Sequence, residues 1–310
     1  MTVRRTLRIA TRASALALWQ SEHVAARLRA LDAALEVELV PITTTGDRIT
    51  DRPLAAIGGK ALFIKELEVA MAEGRADIAV HSMKDVPAEL PDGFGIGAVL
   101  EREDPRDALV SKGSRDIAAL PVGAHVGTSS LRRRSQLLAH RPDLVVADLR
   151  GNVPTRLKRF RDGEFTAIVL AAAGLRRLGL FDDCCHCLAP TAMLPAVGQG
   201  AIGIEYHLDA PDIAALIAGL NDATTAARVA AERAMNACLG GSCQVPIAGH
   251  ARIEDGRLML EGLVAGVDGR ELVRQTANGR VEDAVAIGRQ VGEAMLAAGA
   301  DSILQRLNLG

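Results

Sequence analysis

The sequence predicts an α/β protein that ends in a small α+β region. Three observations carry that expectation. Short runs rich in β-branched residues alternate with helical patterns through the first two thirds of the chain. The last third instead shows strands separated by "EDG" and "VDG", the turn chemistry of antiparallel hairpins. With 49% of 310 residues hydrophobic, the chain can fill two or three cores.

The elements follow in order. "LRIAT" reads as a strand, then "RAS" opens a helical pattern to about Ala30. "EVELVPI" is a second strand, "TTTGDR" a polar turn, and "ALFIKELEVAMAEG" a helix with a stop at Gly74. "ADIAVHS" is a buried-looking strand that runs into a loop ending at Pro87. This alternation predicts a largely parallel sheet. A second α/β unit follows: "AHVGTSS" strand, "LRRRSQLLAH" helix, "DLVVADLRGN" strand, "VPTRLKRFRDG" helix and "FTAIVLAAAG" strand. "GQGAIGIEY" gives another strand near 198–206. A helix covers about 222–237, with Asp222 as its cap. Three antiparallel strands and a helix over about 281–298 close the chain.

Charge and composition exclude several classes. A formal net charge of -2 calls for neither nucleic acid nor a membrane as partner. Aromatics make up 2%, too few for a base-stacking platform. No run of about 18 apolar residues is free of charge, so no spanning helix is expected. "MTVRRTLRIATRAS" has no apolar stretch of the signal-peptide kind, which makes the cytoplasm the expected location. The five cysteines are odd in number and late in the chain, unlike a secreted disulfide scaffold. Cys184, Cys185 and Cys187 crowd "DDCCHC", a poor arrangement for one tetrahedral ion, so no metal is expected. Only five of the 36 basic residues are lysines. That preference suits bidentate recognition of carboxylates.

Several stretches carry candidate chemistry. "VGTSSLRRR" hands a strand over to a helix, where exposed N–H groups attract an anion. Thr128, Ser129 and Ser130 add hydroxyls and Arg132, Arg133 and Arg134 add charge. Successive residues turn by about 100°, so the three arginines cannot share one face; Arg132 and Arg133 are favoured and Arg134 is partly structural. A capped helix with a solvated basic face explains the same letters. In "DLRGNVPTR", Gly151 lets backbone approach a ligand, Arg150 stands at a strand's carboxyl end and Arg156 lies one turn into a helix. With Arg12 of "ATRAS" these arginines suggest a polyanion site, and no phosphate-loop or dinucleotide pattern is present. "HSMKDVP" sets His81, Ser82, Lys84 and Asp85 after a buried strand. Asp85 could move protons or stabilise a cation, and Lys84 could form a Schiff base or hold a carboxylate. An ordinary hydrogen-bonded turn is the plain alternative. Lys60 of "GGKALFIKE" could reach an anion. Cys243 in "GGSCQVP" sits in a turn rather than a core, which suits a covalent anchor or a redox pair with Cys238.

"LRIATRASALALWQ", "GGKALFIKELE", "ADIAVHSMKDVP", "EREDPRDALVS", "GTSSLRRRSQL", "DLRGNVPTRL", "LPAVGQGAIGIE" and "AERAMNACLGGSCQVPI", in this order, closely resemble the porphobilinogen deaminases, also called hydroxymethylbilane synthases. The resemblance implies two periplasmic-binding-protein-like α/β domains enclosing a cleft, plus a small α+β C-terminal domain. It implies domain 1 over 1–100 and 200–219, domain 2 over 101–199 and domain 3 over 220–310. It implies a transferase that joins four porphobilinogen molecules head to tail on a covalent dipyrromethane primer, with loss of ammonia, and then releases hydroxymethylbilane by hydrolysis. The dipyrromethane is expected on Cys243 through a thioether. By motif match Asp85 is catalytic, acting on the cation left when ammonia departs. Lys84, Asp85, Ser82, Thr128, Ser129, Ser130, Arg132, Arg133 and Arg150 are expected to bind the cofactor. Arg12, Ser14, Arg150, Arg156, Arg177, Lys60 and Gln199 are expected to bind substrate. A monomer without nucleic-acid or membrane partners completes the expectation. The chain departs from the family pattern at "GSCQ", commonly "GGCQ", at "GGKA", commonly "GGKG", and at Ala56, where a lysine is frequent. Two competing classes, a solute-capture protein and a thiol redox enzyme, leave respectively the loop thiol and the arginines unexplained.

Overall fold

The structure, a computed structural model, describes residues 6–44, 64–241 and 245–308. Lys60 and Cys243 lie outside the described residues. The chain divides into two compact units, Met1–Arg102 with Ala201–Ala226, and Glu103–Gly200 with Ala227–Gly310.

The first unit opens with β1 (Thr6–Arg12), α1 (Ala15–Leu31), β2 (Glu36–Ile42), α2 (Lys65–Ala72), β3 (Ile78–Ser82) and β4 (Phe94–Val99). Ser14 caps α1, its Oγ accepting from the Ala17 N–H at 3.4 Å. A single 3-10 turn, Met83–Asp85, follows β3 and carries Lys84 and Asp85. In α2 the buried positions Leu67, Glu68, Ala70 and Met71 follow helical spacing, so Glu68 shares the inward face with apolar neighbours.

The second unit then builds β5 (Asp107–Ser111), β6 (His125–Gly127), α3 (Leu131–His140), β7 (Val145–Ala147), α4 (Val153–Arg161), β8 (Ala167–Ala171), α5 (Ala172–Arg177) and β9 (Cys185–Cys187). Its sheet runs β7-β6-β8-β5-β9, parallel from β7 to β8 and antiparallel across β5. The chain returns to the first unit as β10 (Ile202–His207) and α6 (Pro211–Ala218). There the order is β2-β1-β3-β10-β4, and β10 is antiparallel to both neighbours. Both sheets are therefore mixed, which corrects the largely parallel expectation. Leu7, Ile9, Val24, Leu28, Ile78 and Ile204 form the core of the first sheet and α1.

The C-terminal part begins with α7 (Ala223–Cys238), capped by Asp222, whose Oδ1 accepts from the Thr225 N–H at 2.6 Å. β11 (Ile247–Glu254), β12 (Arg257–Ala265) and β13 (Leu272–Arg280) form an antiparallel sheet in that order. Asp255 at φ +49° and Gly256 at φ +71° make the tight first hairpin that "EDG" predicted. α8 (Ala284–Ala297) and α9 (Ala300–Asn308) follow, and Met235, Leu260, Val291 and Met295 fill the core beneath α8. Within the second unit, Glu232 is wholly buried and accepts from the Gly198 N–H at 2.7 Å and the Ala251 N–H at 2.8 Å. One carboxylate thus ties the segment before β10 to the three-stranded sheet.

The elements the sequence did not mark are β4, β5, β9, α5, α6 and α9. "FTAIVLAAAG" stops being strand at Ala171, because "AAGLRR" has no β-branched residue and Ala and Leu favour helix. Among the described residues no helix is long and apolar enough to cross a membrane.

Candidate functional site

Strand ends position the chemistry in each unit, and the two units are described separately. In the first, the carboxyl end of β1 delivers Arg12 and the cap of α1 delivers Ser14. The end of β3 delivers Ser82, and the 3-10 turn after it delivers Asp85. These four, with Gln20 and His81, line one pocket. The structure therefore brings together Arg12, Ser14, Ser82 and Asp85. The Ser82 hydroxyl accepts from Gln20 Nε2 at 2.8 Å, so α1 fixes the side chain that precedes the turn. Lys84, half-buried, shares the turn with Asp85.

Behind this pocket lies a group of titratable side chains that sequence reasoning missed. His81 Nε2 is 2.7 Å from Glu205 Oε2, with side-chain exposures of 5% and 0%. Glu68 of α2 is 6% exposed. Burial, with the nearby Glu205 charge, pushes the Glu68 carboxyl up to about 7, against a smaller opposing pull from His81. Oε1 of Glu68 and Oε1 of Glu205 are buried without a hydrogen-bond partner. The only sequence signal was a glutamate on the apolar stripe of "KELEVAMA" and another inside "AIGIEY".

In the second unit the N-terminus of α3 is organised by its own hydroxyls. Ser130 Oγ accepts from the Arg133 N–H at 3.4 Å, and Thr128 Oγ1 accepts from the Ser130 N–H at 3.2 Å. Ser129 is exposed. Arg132 and Arg133, expected to face a ligand, are each 5% exposed and converge on Asp107. Arg132 Nη1 donates to Asp107 Oδ2 and to the Leu194 carbonyl, both at 2.7 Å. Arg133 donates to Asp107 Oδ1 from Nε at 3.0 Å and Nη2 at 2.8 Å, and to the Val169 carbonyl from Nη1 at 2.9 Å. Gln199 is 1% exposed and donates from Nε2 to the Pro105 carbonyl at 2.7 Å and to Asp107 Oδ1 at 3.0 Å. It is an interior residue, where the resemblance implied one that binds substrate. Burial opposes ionisation of Asp107, but Arg132 and Arg133 outweigh it and hold the carboxyl well below its ordinary range.

The partition of the three arginines thus corrects the expectation. Two are counter-ions of Asp107, because a buried carboxylate needs full compensation. Arg134 Nε is buried with no hydrogen-bond partner. Arg177 donates to the Gly200 carbonyl at 2.7 Å, and burial draws its pKa down to about 10, which still leaves it charged at neutral pH. Arg150 is half-buried just before Gly151. Gly151 holds φ +106°, and a Cβ there would lie 2.9 Å from Thr155 Cγ2, so the approach to α4 requires glycine. Arg156 Nε donates to the Gly151 carbonyl at 2.7 Å.

By fold and site this is an α/β protein that sets arginines, hydroxyls and one carboxylate at strand ends, equipment suited to an acidic ligand. The comparisons give that class a family. Residues 7–215 match "Porphobilinogen deaminase, dipyromethane cofactor binding domain", and residues 226–297 match "Porphobilinogen deaminase, C-terminal domain". The chain is 55% identical over 296 residues to a porphobilinogen deaminase of Chromobacterium violaceum, covering 96% of each. Solved structures with a similar course include the periplasmic aliphatic sulphonate binding protein SsuA from Escherichia coli, with 14% identity and a TM-score of 0.42, over 75% of this chain and 70% of that one. Another is the probable amino-acid ABC transporter extracellular-binding protein ytmK from Bacillus subtilis, with 10% identity and a TM-score of 0.45, over 70% and 90%. The chain belongs to the porphobilinogen deaminase family.

The family's domain description names a dipyrromethane cofactor, and the donor set fits such a group. An acidic pyrrole pair needs cationic and hydroxyl donors for its carboxylates and an acceptor for its ring N–H groups. The first unit offers Arg12, Ser14, Ser82 and Asp85 around one pocket. The second offers the hydroxyl-rich start of α3 and the unpartnered Nε of Arg134. Among the described residues no cluster could hold a metal ion.

Proposed function

We infer that this chain is a tetrapyrrole-building transferase. It joins four porphobilinogen molecules head to tail on a dipyrromethane primer, releases one ammonia per addition, and frees hydroxymethylbilane by hydrolysis. The observation that carries the reading is the 55% identity to a porphobilinogen deaminase across 96% of both chains. The pocket of the first unit supports it, since its one carboxylate stands among donors suited to an acid-bearing ring.

The residues divide the work. When bound, the cofactor supplies the pyrrole end to which the first unit is joined. Cys243 is the assigned attachment point. Arg12 and Ser14 hold substrate carboxylates at the start of α1, and Lys84 adds a cation beside the reacting centre. Asp85 faces the positive charge that substrate carries as ammonia departs, and accepts ring N–H groups. It also takes the proton shed from the joined ring carbon. Arg150, Arg156 and Arg177 bind the acidic side groups, with Thr128, Ser129 and Ser130 as hydroxyl donors. Arg132 and Arg133 offer only what charge Asp107 leaves: two guanidinium groups against one carboxylate give the trio a net charge of about +1. Lys60 and Gln199 contribute less directly, Gln199 by holding Asp107.

Intact-mass measurement of freshly purified protein tests the reading. An adduct of two pyrrole units is expected, absent in Cys243→Ser. Purified enzyme given porphobilinogen should release hydroxymethylbilane and ammonia. A protein that turns over substrate with no mass added at Cys243 would refute the tether, and one that binds porphobilinogen without releasing ammonia would refute the transferase.

A further inference from the structure

Two carboxyls and one imidazole are packed behind the Asp85 pocket, and the roles given so far use none of them. In the β3–β10 ladder Gly203 is opposite His81 and Glu205 is opposite Ala79. His81 and Glu205 are therefore diagonal neighbours on one face, within reach of long side chains. α2 lies against β1, β3 and β10 and lowers Glu68 onto that face. Only one hydrogen bond, His81 to Glu205, is made within the group, and each glutamate keeps a buried oxygen without a partner. An ionised carboxylate so placed is costly, and Glu68 is displaced toward its protonated form.

Among the described residues, no lysine or arginine is hydrogen-bonded to Glu68 or Glu205. On β1, Arg8 is held by Asp77 at 2.8 Å and by the Gly74 carbonyl, and Arg12 lines the pocket. On α2 itself, Lys65 and Glu73 are exposed and Glu66 is half-buried. α1, packed on β3, brings exposed Glu22, Arg27 and Arg29 and the half-buried His23. β10 adds Tyr206 and His207, α6 adds the exposed Asp212, and β4 has no titratable side chain. His81 belongs both to this group and to the pocket lining.

We propose that Glu68, Glu205 and His81 form a proton acceptor for the pocket, taking the proton released at each ring addition through His81. The inference rests on the transferase reading. In each addition the carbon–nitrogen bond of the substrate's aminomethyl group breaks and ammonia leaves. A carbon–carbon bond forms to a pyrrole carbon, whose hydrogen departs as a proton. The amine leaves as neutral ammonia from its protonated, ammonium form; Asp85 takes the ring proton and passes it to His81 and the glutamates, which release it to water before the next addition. No oxidant or reductant enters. Glu68 and Glu205 act through His81 and are positioning residues. An ionised Glu68 leaves the group able to accept; a protonated one leaves it full.

For a carboxyl titrating near about 7, the ionised fraction rises about tenfold from pH 6 to pH 8. The test reads protonation and turnover separately. Infrared difference spectra of the holoenzyme, titrated from pH 5 to 9, should show a protonated-carboxyl band that disappears near neutrality and is absent in Glu68→Gln. The kcat of the parent should rise severalfold between pH 6 and 8, while that of Glu68→Gln should change less than twofold and stay at or below the parent's value at pH 6. Glu205→Gln, read the same way, serves if Glu68→Gln does not fold, and should also remove the band or shift its midpoint. A parent spectrum without a protonated carboxyl near pH 6, a band untouched by either substitution, or superimposable kcat profiles would overturn the proposal. None of those outcomes bears on the adduct mass or on ammonia release, which judge the transferase reading.

Discussion

Asp107 in the second unit and Glu68 in the first meet the same penalty for a buried carboxyl and resolve it in opposite ways. Asp107 is wholly buried yet stays ionised, because Arg132, Arg133 and Gln199 fill both oxygens. Glu68 is almost as buried, has no cation bonded to it among the described residues, and is displaced toward the protonated form. Burial alone does not set protonation; the fixed partners do. The first arrangement makes rigid structure from α3 and β5. The second leaves a carboxyl that titrates near neutral pH.

The sharpest way to break the contrast is at the pocket, where a carboxylate is neither fully compensated nor sunk in the core. Asp85→Ala or Asp85→Asn should cut ammonia release from porphobilinogen by at least about 10²- to 10⁴-fold with the fold intact, the range lost with a proton-transfer group. Turnover within tenfold of the parent would remove Asp85 from the chemistry. Next in size is Asp107→Asn, which strands two buried guanidinium groups. A loss of about 3–5 kcal/mol in denaturant unfolding is expected. An unchanged midpoint would show that Arg132 and Arg133 do not depend on this carboxylate.

The Glu68 arm is a matter of sign. Its folded pKa of about 7 lies above the ordinary glutamate value of 4.5, so between those pH values the native state binds more protons than the unfolded chain. Its contribution to stability is full below about 4.5 and is lost as pH rises through about 7. The loss is at most about 3 kcal/mol, one pKa unit being worth about 1.4 kcal/mol. Glu68→Gln should flatten that decline in stability between pH 5 and 8, measured by urea unfolding at each pH. An equal decline in parent and variant would assign it to other groups. Smallest is Asn152→Ala at the start of α4, where Oδ1 accepts from the Thr155 N–H at 2.9 Å. About 1 kcal/mol of stability should go with that cap, read as a lower Tm.

Local elements were legible where local chemistry decides them. α1, α3 and α4 begin at Ser14, Ser130 and Asn152, and each cap is hydrogen-bonded in the structure. The hairpin at Asp255 and Gly256 was likewise legible, since positive φ at both residues demands such a pair. β4, "FGIGAV", was missed because two glycines and no polar alternation hide a strand whose pairing comes from β10. In the candidate site, Asp85, Ser82 and Arg12 were read as strand-end groups, and they share a pocket. Gln199 and the first two arginines of "LRRR" instead bond Asp107 in the interior. Nothing local says that Asp107, more than twenty residues earlier, takes their donors.

The sequence by itself determined the longer capped helices and the hairpins, the family, and the residue types of an acid-binding site, because caps, periodicity and motifs act within a few residues. Only the tertiary structure decided that β10 lies between β3 and β4. That placement brings Glu205 to His81, beneath Glu68. It also decided which arginines are counter-ions. Both outcomes depend on desolvation by residues distant in the chain, and the energy of a buried charge is fixed by its assembled surroundings.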